Sequence, residues 1–230
     1  MRLSTLFTVA LCAGTFIFAA PALASKPKSS PGSLTPAQIE ANYTRAIERR
    51  TDRILAALNL SDTNQAAAVH DVIMAQWRAL RAWHAAHDAS LKEALRSGNA
   101  GQAASIRASL HSLHDQFIAK LSEHLTPAQV ETVKDGMTYR MVEATYHGYC
   151  EIVPGLTAGD KAEILMWLKE AREEAMDCGS SKEKDAVFKR YKGKINNYLD
   201  AHGHNVREAY RAWGAAQKAR AKEKNQTRSK

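Results

Sequence analysis

Apolar residues recur along most of this chain at intervals of three and four, the period of an amphipathic helix. Ile106, Leu110, Leu113, Phe117 and Leu121 share one stripe, and Val69, Ile73, Leu80 and Leu91 share another. The chain has no convincing alternating run of strand type and no Asn-Gly or Asp-Gly hairpin signal. Leu34-Thr35-Pro36-Ala37-Gln38-Ile39 and Leu125-Thr126-Pro127-Ala128-Gln129-Val130 open helices on one plan. Thr is the N-cap, Pro fills the first turn where no N–H is needed, and Gln three residues on closes a capping box. Leu60-Ser61-Asp62 and Leu156-Thr157-Ala158-Gly159-Asp160 are looser versions, and Asn205-Val206-Arg207-Glu208 restarts a helix after His202-Gly203-His204. These signals predict seven helices, near 36–58, 62–97, 102–124, 127–147, 158–178, 182–201 and 206–222. The fold class is all-α: a single helical domain over 34–214, with Gly98 and Gly101 letting the second and third helices fold back as an antiparallel hairpin.

The two ends break this pattern. Residues 1–24 read as a cleaved signal peptide: Arg2 is the positive start, Leu6 to Ala20 the apolar stretch, and Ala22-Leu23-Ala24 the cleavage site. That stretch is too short for a membrane span. Residues 25–33 read as a flexible leader, and the product is expected to be exported, periplasmic or secreted. Export permits disulfides, and the mature chain keeps Cys150 and Cys178. A helix over 158–177 is about 30 Å long, more than the about 26 Å that the connection before it can span. Two buried thiols are therefore expected rather than a bridge.

Composition narrows the classes. Among 230 residues, 45% hydrophobic content excludes a disordered chain, and 12 Gly with 6 Pro exclude a collagen-like one. The formal net charge of +8 points toward an acidic partner, but its distribution matters more. Residues 34–214 carry 23 basic and 23 acidic residues, while 215–230 hold six basic residues against Glu223 and read as a basic, disordered tail. A neutral body removes the premise for nucleic-acid binding.

Two regions carry candidate chemistry. His84-x-x-His87-Asp88 and His111-x-x-His114-Asp115 lie on the two arms of the hairpin. A turn near residue 99 or 100 would bring His84 level with Asp115. Converging imidazoles and carboxylates could hold Zn²⁺ or Cu²⁺, with His84, Asp88, His114 and Asp115 as the ligands. The preferred reading is plainer: interhelical hydrogen bonds, with Asp88 or Asp115 fixing the histidine tautomers. The second region runs from Lys134 to Leu199. Gly136 interrupts a helix at a cost of about 1 kcal/mol relative to Ala, and Gly193, Asn196 and Asn197 are poor residues for the helix that holds them. Tyrosines among Arg, Lys, Asp and Asn suit a saccharide, whose apolar faces stack on rings while its hydroxyls take fixed polar groups. The expected cleft lies between the helices near 127–147, 158–178 and 182–201. Tyr139, Tyr149 and Tyr191 would stack, Arg172, Lys192, Asn196 and Asn197 donate, and Glu173 and Asp177 accept or support ion pairs. Six basic residues between 182 and 194, against Glu183 and Asp185, would favour an acidic sugar. No phosphate loop, dinucleotide fingerprint, zinc-protease motif or nucleophile elbow is present, and no cofactor is expected.

Two resemblances add to this. The Leu-Thr-Pro-Ala-Gln phrases resemble the LTxxQ signature of periplasmic helical stress chaperones and their metal-responsive relatives. A longer series runs through Lys134-Asp135-Gly136-Met137-Thr138-Tyr139, Gly148-Tyr149, Trp167-Leu168, Glu170-Ala171-Arg172-Glu173, Ala175-Met176-Asp177, Gly179-Ser180-Ser181 and Tyr191 to Leu199. It resembles an uncharacterised family of exported bacterial proteins, a domain of unknown function suggested to bind sugar and found among polysaccharide-degradation genes. His84, Asp88, His114 and Asp115 also fit that family's earlier helices, whereas Cys150, Cys178 and His87 fall outside the pattern. The resemblance implies carbohydrate binding and supplies no catalytic residues. A stress chaperone or metal-linked protein is the alternative, and an enzyme acting on polysaccharide the third reading.

Overall fold

The structure, a computed structural model, describes residues 34–228. The expected signal peptide and leader lie outside the described residues. Eight helices follow one another, with no strand among the described residues: α1 (Pro36–Leu58), α2 (Thr63–Arg96), α3 (Ala100–Ser122), α4 (Pro127–Met137), α5 (Met141–Ile152), α6 (Ala158–Met176), α7 (Ser181–Ala201) and α8 (Val206–Arg228). The capping boxes form as the sequence led one to expect. Thr35 and Gln38 close α1, Thr126 and Gln129 close α4, and Thr157 with Asp160 does the same for α6; a further box, Ser180 with Glu183 at α7, was not anticipated. α2 and α3 pair as the expected hairpin, turning at Gly98, whose φ of 70° suits glycine. No helix among the described residues is long and apolar enough to cross a membrane.

The expected single helix over 127–147 is two helices. Tyr139 and Arg140 take left-handed backbone, with φ of 57° and 56°. The Arg140 N–H returns to Asp135 O at 2.8 Å, and Thr138 Oγ1 donates to Lys134 O at 3.0 Å, closing α4. Packing gives the reason for the break, because the two pieces serve different cores. Val130, Val133 and Met137 of α4 pack with Ile47, Ile73, Trp77 and Leu121 in a cluster of α1–α4. Val142 and Tyr149 of α5 pack with Leu168, Phe188, Ile195 and Leu199 in a second cluster of α5–α8. α6 serves both, for Ile164 to Ala175 belong to the second cluster and Met176 to the first.

Gly136 is explained by close approach. A Cβ there would lie 2.5 Å from Ile54 Cγ1, so α1 and α4 touch backbone to side chain. Gly193 has no such reason, since a Cβ on it would meet open space. α8 continues to Arg228, so residues 215–228, expected to lack structure, are helical. Ala, Gln, Lys, Arg and Glu in that segment are all strong helix formers. Both cysteines are free, but only Cys178 is partly buried, and Cys150 is exposed rather than buried. Burial pushes the Cys178 thiol up to about 11, which leaves it protonated and unreactive near neutrality.

Candidate functional site

Six of the thirteen candidate residues, His84, Asp88, His114, Arg172, Glu173 and Asp177, meet in a polar seam where the two clusters join. Glu131, Lys134 and Asp135 stand three and four apart, on one face of α4. That face looks onto Arg172 of α6, which is 2% exposed. The Arg172 guanidinium donates to Asp135 Oδ1 at 2.7 Å, to Glu131 Oε2 at 2.6 Å and to Glu173 Oε1 at 3.0 Å. Lys134 Nζ reaches the other Glu173 oxygen at 2.9 Å. His114 of α3 bonds Asp177 Oδ1 through Nδ1 at 2.9 Å, and its Nε2 lies 3.5 Å from Glu173. His84 of α2 completes the chain, with Nε2 2.7 Å from Asp177 O and Nδ1 2.8 Å from Asp88. Gly179 lets the α6–α7 turn settle on this imidazole, since a Cβ would stand 2.9 Å from His84 Cγ.

The electrostatics follow the geometry. Hydrogen bonds to Asp177 and Glu173 raise His114 to about 9. Burial alone would raise the Glu173 carboxyl, but bonds from His114, Lys134 and Arg172 outweigh it and hold it at about 2. Burial likewise opposes the charge on Arg172, and Asp135 and Glu131 more than restore it. Every cation of the seam therefore faces carboxylates.

This arrangement corrects several expectations. Arg172 is not a free donor for a ligand, because carboxylates surround it. Glu173 and Asp177 act as ion-pair supports. Tyr149 cannot stack on a sugar: it is 1% exposed, and its hydroxyl donates to Asn196 Oδ1 at 2.7 Å. Asn196 thereby serves the second core. Tyr191 is half-buried against that core with Lys194 Nζ 5.6 Å above its ring, Lys192 is half-buried, and Asn197 is exposed. The four metal candidates also divide. His84, Asp88 and His114 join the seam through hydrogen bonds, whereas Asp115 lies 3.6 Å from His111 on the exposed surface. His87 bonds Trp83 O and stacks on the Trp83 ring. The group with metal-like spacing among the described residues is Glu48, Asp52 and His70, which the sequence did not single out.

A groove opens beside the seam. Two adjoining cavities, of about 520 and 290 Å³, share Arg50 and Tyr139 as a common wall. The larger is also lined by Arg53, Ile54, Thr132, Asp135, Gly136 and Arg140. The smaller lies against Tyr43, Trp77, Arg81, Lys184 and the Gly179-Ser180-Ser181 turn. Arg50 Cζ sits 5.6 Å from the Trp77 ring centre and 5.7 Å from that of Tyr139. Among the described residues it has no hydrogen bond and no acidic partner. The strained left-handed backbone of Tyr139 thus presents its ring to both cavities, and its hydroxyl lies 2.9 Å from Ser181 Oγ. Of the nine ligand-binding residues expected from the sequence, Tyr139 alone lines the groove. Arg50, Trp77 and Lys184 were missed. Arg50 and Trp77 lie on the first two helices, outside the region searched, although the Gly-Ser-Ser turn that borders them belongs to the resembling series.

No curated protein matches the chain. A family model described as "Protein of unknown function (DUF3826)" matches residues 44–220, which include the seam and the groove apart from Tyr43, and the chain belongs to this family.

Proposed function

We propose that the protein is an exported carbohydrate-binding protein that holds an oligosaccharide in the groove bordered by Arg50 and Tyr139. The observation that carries this reading is the Arg50 guanidinium lying between the Trp77 and Tyr139 rings without an acidic partner. Rings offer faces for the apolar side of a pyranose, and a guanidinium with free donors offers bonds to its hydroxyls. Asp135 adds an acceptor, for only its Oδ1 is taken by Arg172. A cavity of this volume suits a unit of one to a few sugars. The signal peptide read in the sequence and the resemblance to proteins found among polysaccharide-degradation genes agree with such a role.

The other readings draw less support. The LTxxQ likeness is accounted for by the two capping boxes. Among the described residues the large exposed apolar side chains, Leu34, Ile39, Leu95, Met166 and Tyr210 besides Tyr139, come from several different elements, and no single helix presents a long apolar face. For an enzyme, Glu173 held at about 2 is a poor proton donor near neutrality. A glycan array probed with the purified protein tests the proposal. Retention on some oligosaccharide, lost in Arg50→Ala and Tyr139→Ala, is the expected result. A blank array, or retention that both variants keep, removes the reading.

A further inference from the structure

The smaller compartment of the groove is unbalanced in its hydrogen-bonding groups. Arg50, Arg81 and Lys184 line it, and no Asp or Glu does. Arg81 pairs with Glu40 at 2.8 Å, and among the described residues neither Arg50 nor Lys184 makes an ion pair, although Asp177 and Glu183 lie near enough to Lys184 to favour its charge. Lys184 is 1% exposed, and its Nζ donates to Ala175 O at 2.7 Å and Met176 O at 3.2 Å. Those two carbonyls use two of its three donors.

A second, independent shortage of acceptors lies beside it. The Trp77 indole lines the compartment and is 6% exposed, and its Nε1–H is buried with no partner. Shut off from solvent, that N–H does not open onto the compartment, and it costs the fold about 1–3 kcal/mol. The start of α7 adds more donors. Ser180 N–H is taken by Glu183 Oε2 and Glu183 N–H by Ser180 Oγ. The N–H groups of Ser181 and Lys182 remain at the positive end of a 21-residue helix. The wall is therefore rich in donors and cations and poor in acceptors, the inverse of the neighbouring seam.

We infer that this compartment is a carboxylate subsite and that the ligand is a uronate-containing oligosaccharide. Its acidic group would lie against Arg50 and the start of α7, and its ring along Tyr139 toward the larger compartment. A planar carboxylate matches the two-pronged guanidinium. The ring that follows it would meet Ile54, Ala57 and Thr132 in the larger compartment, with Arg53, Asp135 and Arg140 to bond its hydroxyls. This inference rests on the carbohydrate reading and sharpens it to a chemical class.

The test is calorimetric titration of the purified full chain with uronate oligomers: galacturonate, mannuronate–guluronate and glucuronate-bearing. Each is paired with its methyl ester, which keeps the sugar and removes the charge. At least one acid should bind ten-fold or more tightly than its ester. Arg50→Gln should bring that acid down to the level of the ester, and Arg50→Lys should recover part of the difference. Circular dichroism confirms that both variants are folded. Equal binding of acid and ester overturns the subsite while the carbohydrate reading stands. Uronate binding that Arg50→Gln leaves intact, or that equimolar inorganic phosphate displaces, overturns it as well. If neutral glycans bind and no uronate does, the subsite falls alone. If neutral glycans, acids and esters are all blank, both readings fall.

Discussion

The seam and the groove lie against the same short helix and treat charge in opposite ways. In the seam, Arg172, Lys134 and His114 face Glu131, Asp135, Glu173 and Asp177 at bonding distance. In the groove, Arg50 and Lys184 face aromatic rings and backbone carbonyls. Asp135 belongs to both, giving one oxygen to Arg172 while lining the larger cavity. A matched cluster between two packed halves fixes their orientation, since any other docking would bury unpaired charge. Lys184 caps the end of α6 through Ala175 O and Met176 O, whereas Arg50 lies against aromatic rings alone.

The largest expected effect breaks the matched side. Arg172→Met leaves three carboxylates facing one another, and urea unfolding should show a loss of about 3–5 kcal/mol. A loss under about 1 kcal/mol would mean that the seam does not hold the halves together. Next comes Gly136→Ala, whose new Cβ would stand 2.5 Å from Ile54 Cγ1. Overpacking of this kind should lower stability by about 1–3 kcal/mol in a thermal melt. Tyr139→Gly sharpens the contrast, because stability and binding should move in opposite directions. Removing the side chain from a left-handed position should stabilise the fold by about 1 kcal/mol, while glycan retention falls.

The last contrast is pH dependence, where the two regions differ in sign. His114 is raised from 6.5 to about 9, so its contribution is fully present below pH 6.5 and is lost as pH rises toward 9. Glu173 is lowered from 4.5 to about 2, so its contribution is present above pH 4.5 and is lost as pH falls toward 2. The seam alone thus favours a stability maximum between these windows. In the groove wall, burial lowers Lys184 from 10.5 to about 8. That destabilises the fold below pH 8 and is relieved as pH rises to 10.5. Chemical melts at pH 6 and pH 8.5 should show the first loss in the native protein and less of it in His114→Gln. An unchanged slope in that variant would deny His114 its part.

Helix starts were legible because they are local: Thr35, Thr126 and Thr157 bond groups only three residues away. The break at Tyr139 was not. Helical periodicity runs on past Met137, and only the choice between two cores requires the turn. The seam was half legible. Charged residues at helical spacing announced polar contacts, but nothing in the spacing said that Arg172 would meet Glu131 and Asp135 rather than a ligand. Tyr149 misled for the same reason, since a tyrosine in a polar phrase looks the same whether its hydroxyl meets water or Asn196. The groove was hardly legible at all. Arg50 and Trp77 are ordinary members of amphipathic helices, and their conjunction with Lys184 depends on docking residues more than a hundred positions apart.

The basic charge that the body lacks is mounted on α8. Lys218, Arg220, Lys222 and Lys224 are exposed there, and at 1.5 Å per residue the stretch from Gly214 to Arg228 extends about 21 Å. That is roughly two screening lengths at ordinary salt. The helix acts as a spur on an otherwise neutral particle and gives it a strong electric moment. An approaching polyanion would be steered to the spur first, so that the residues governing encounter rate are separate from those that would hold a bound chain.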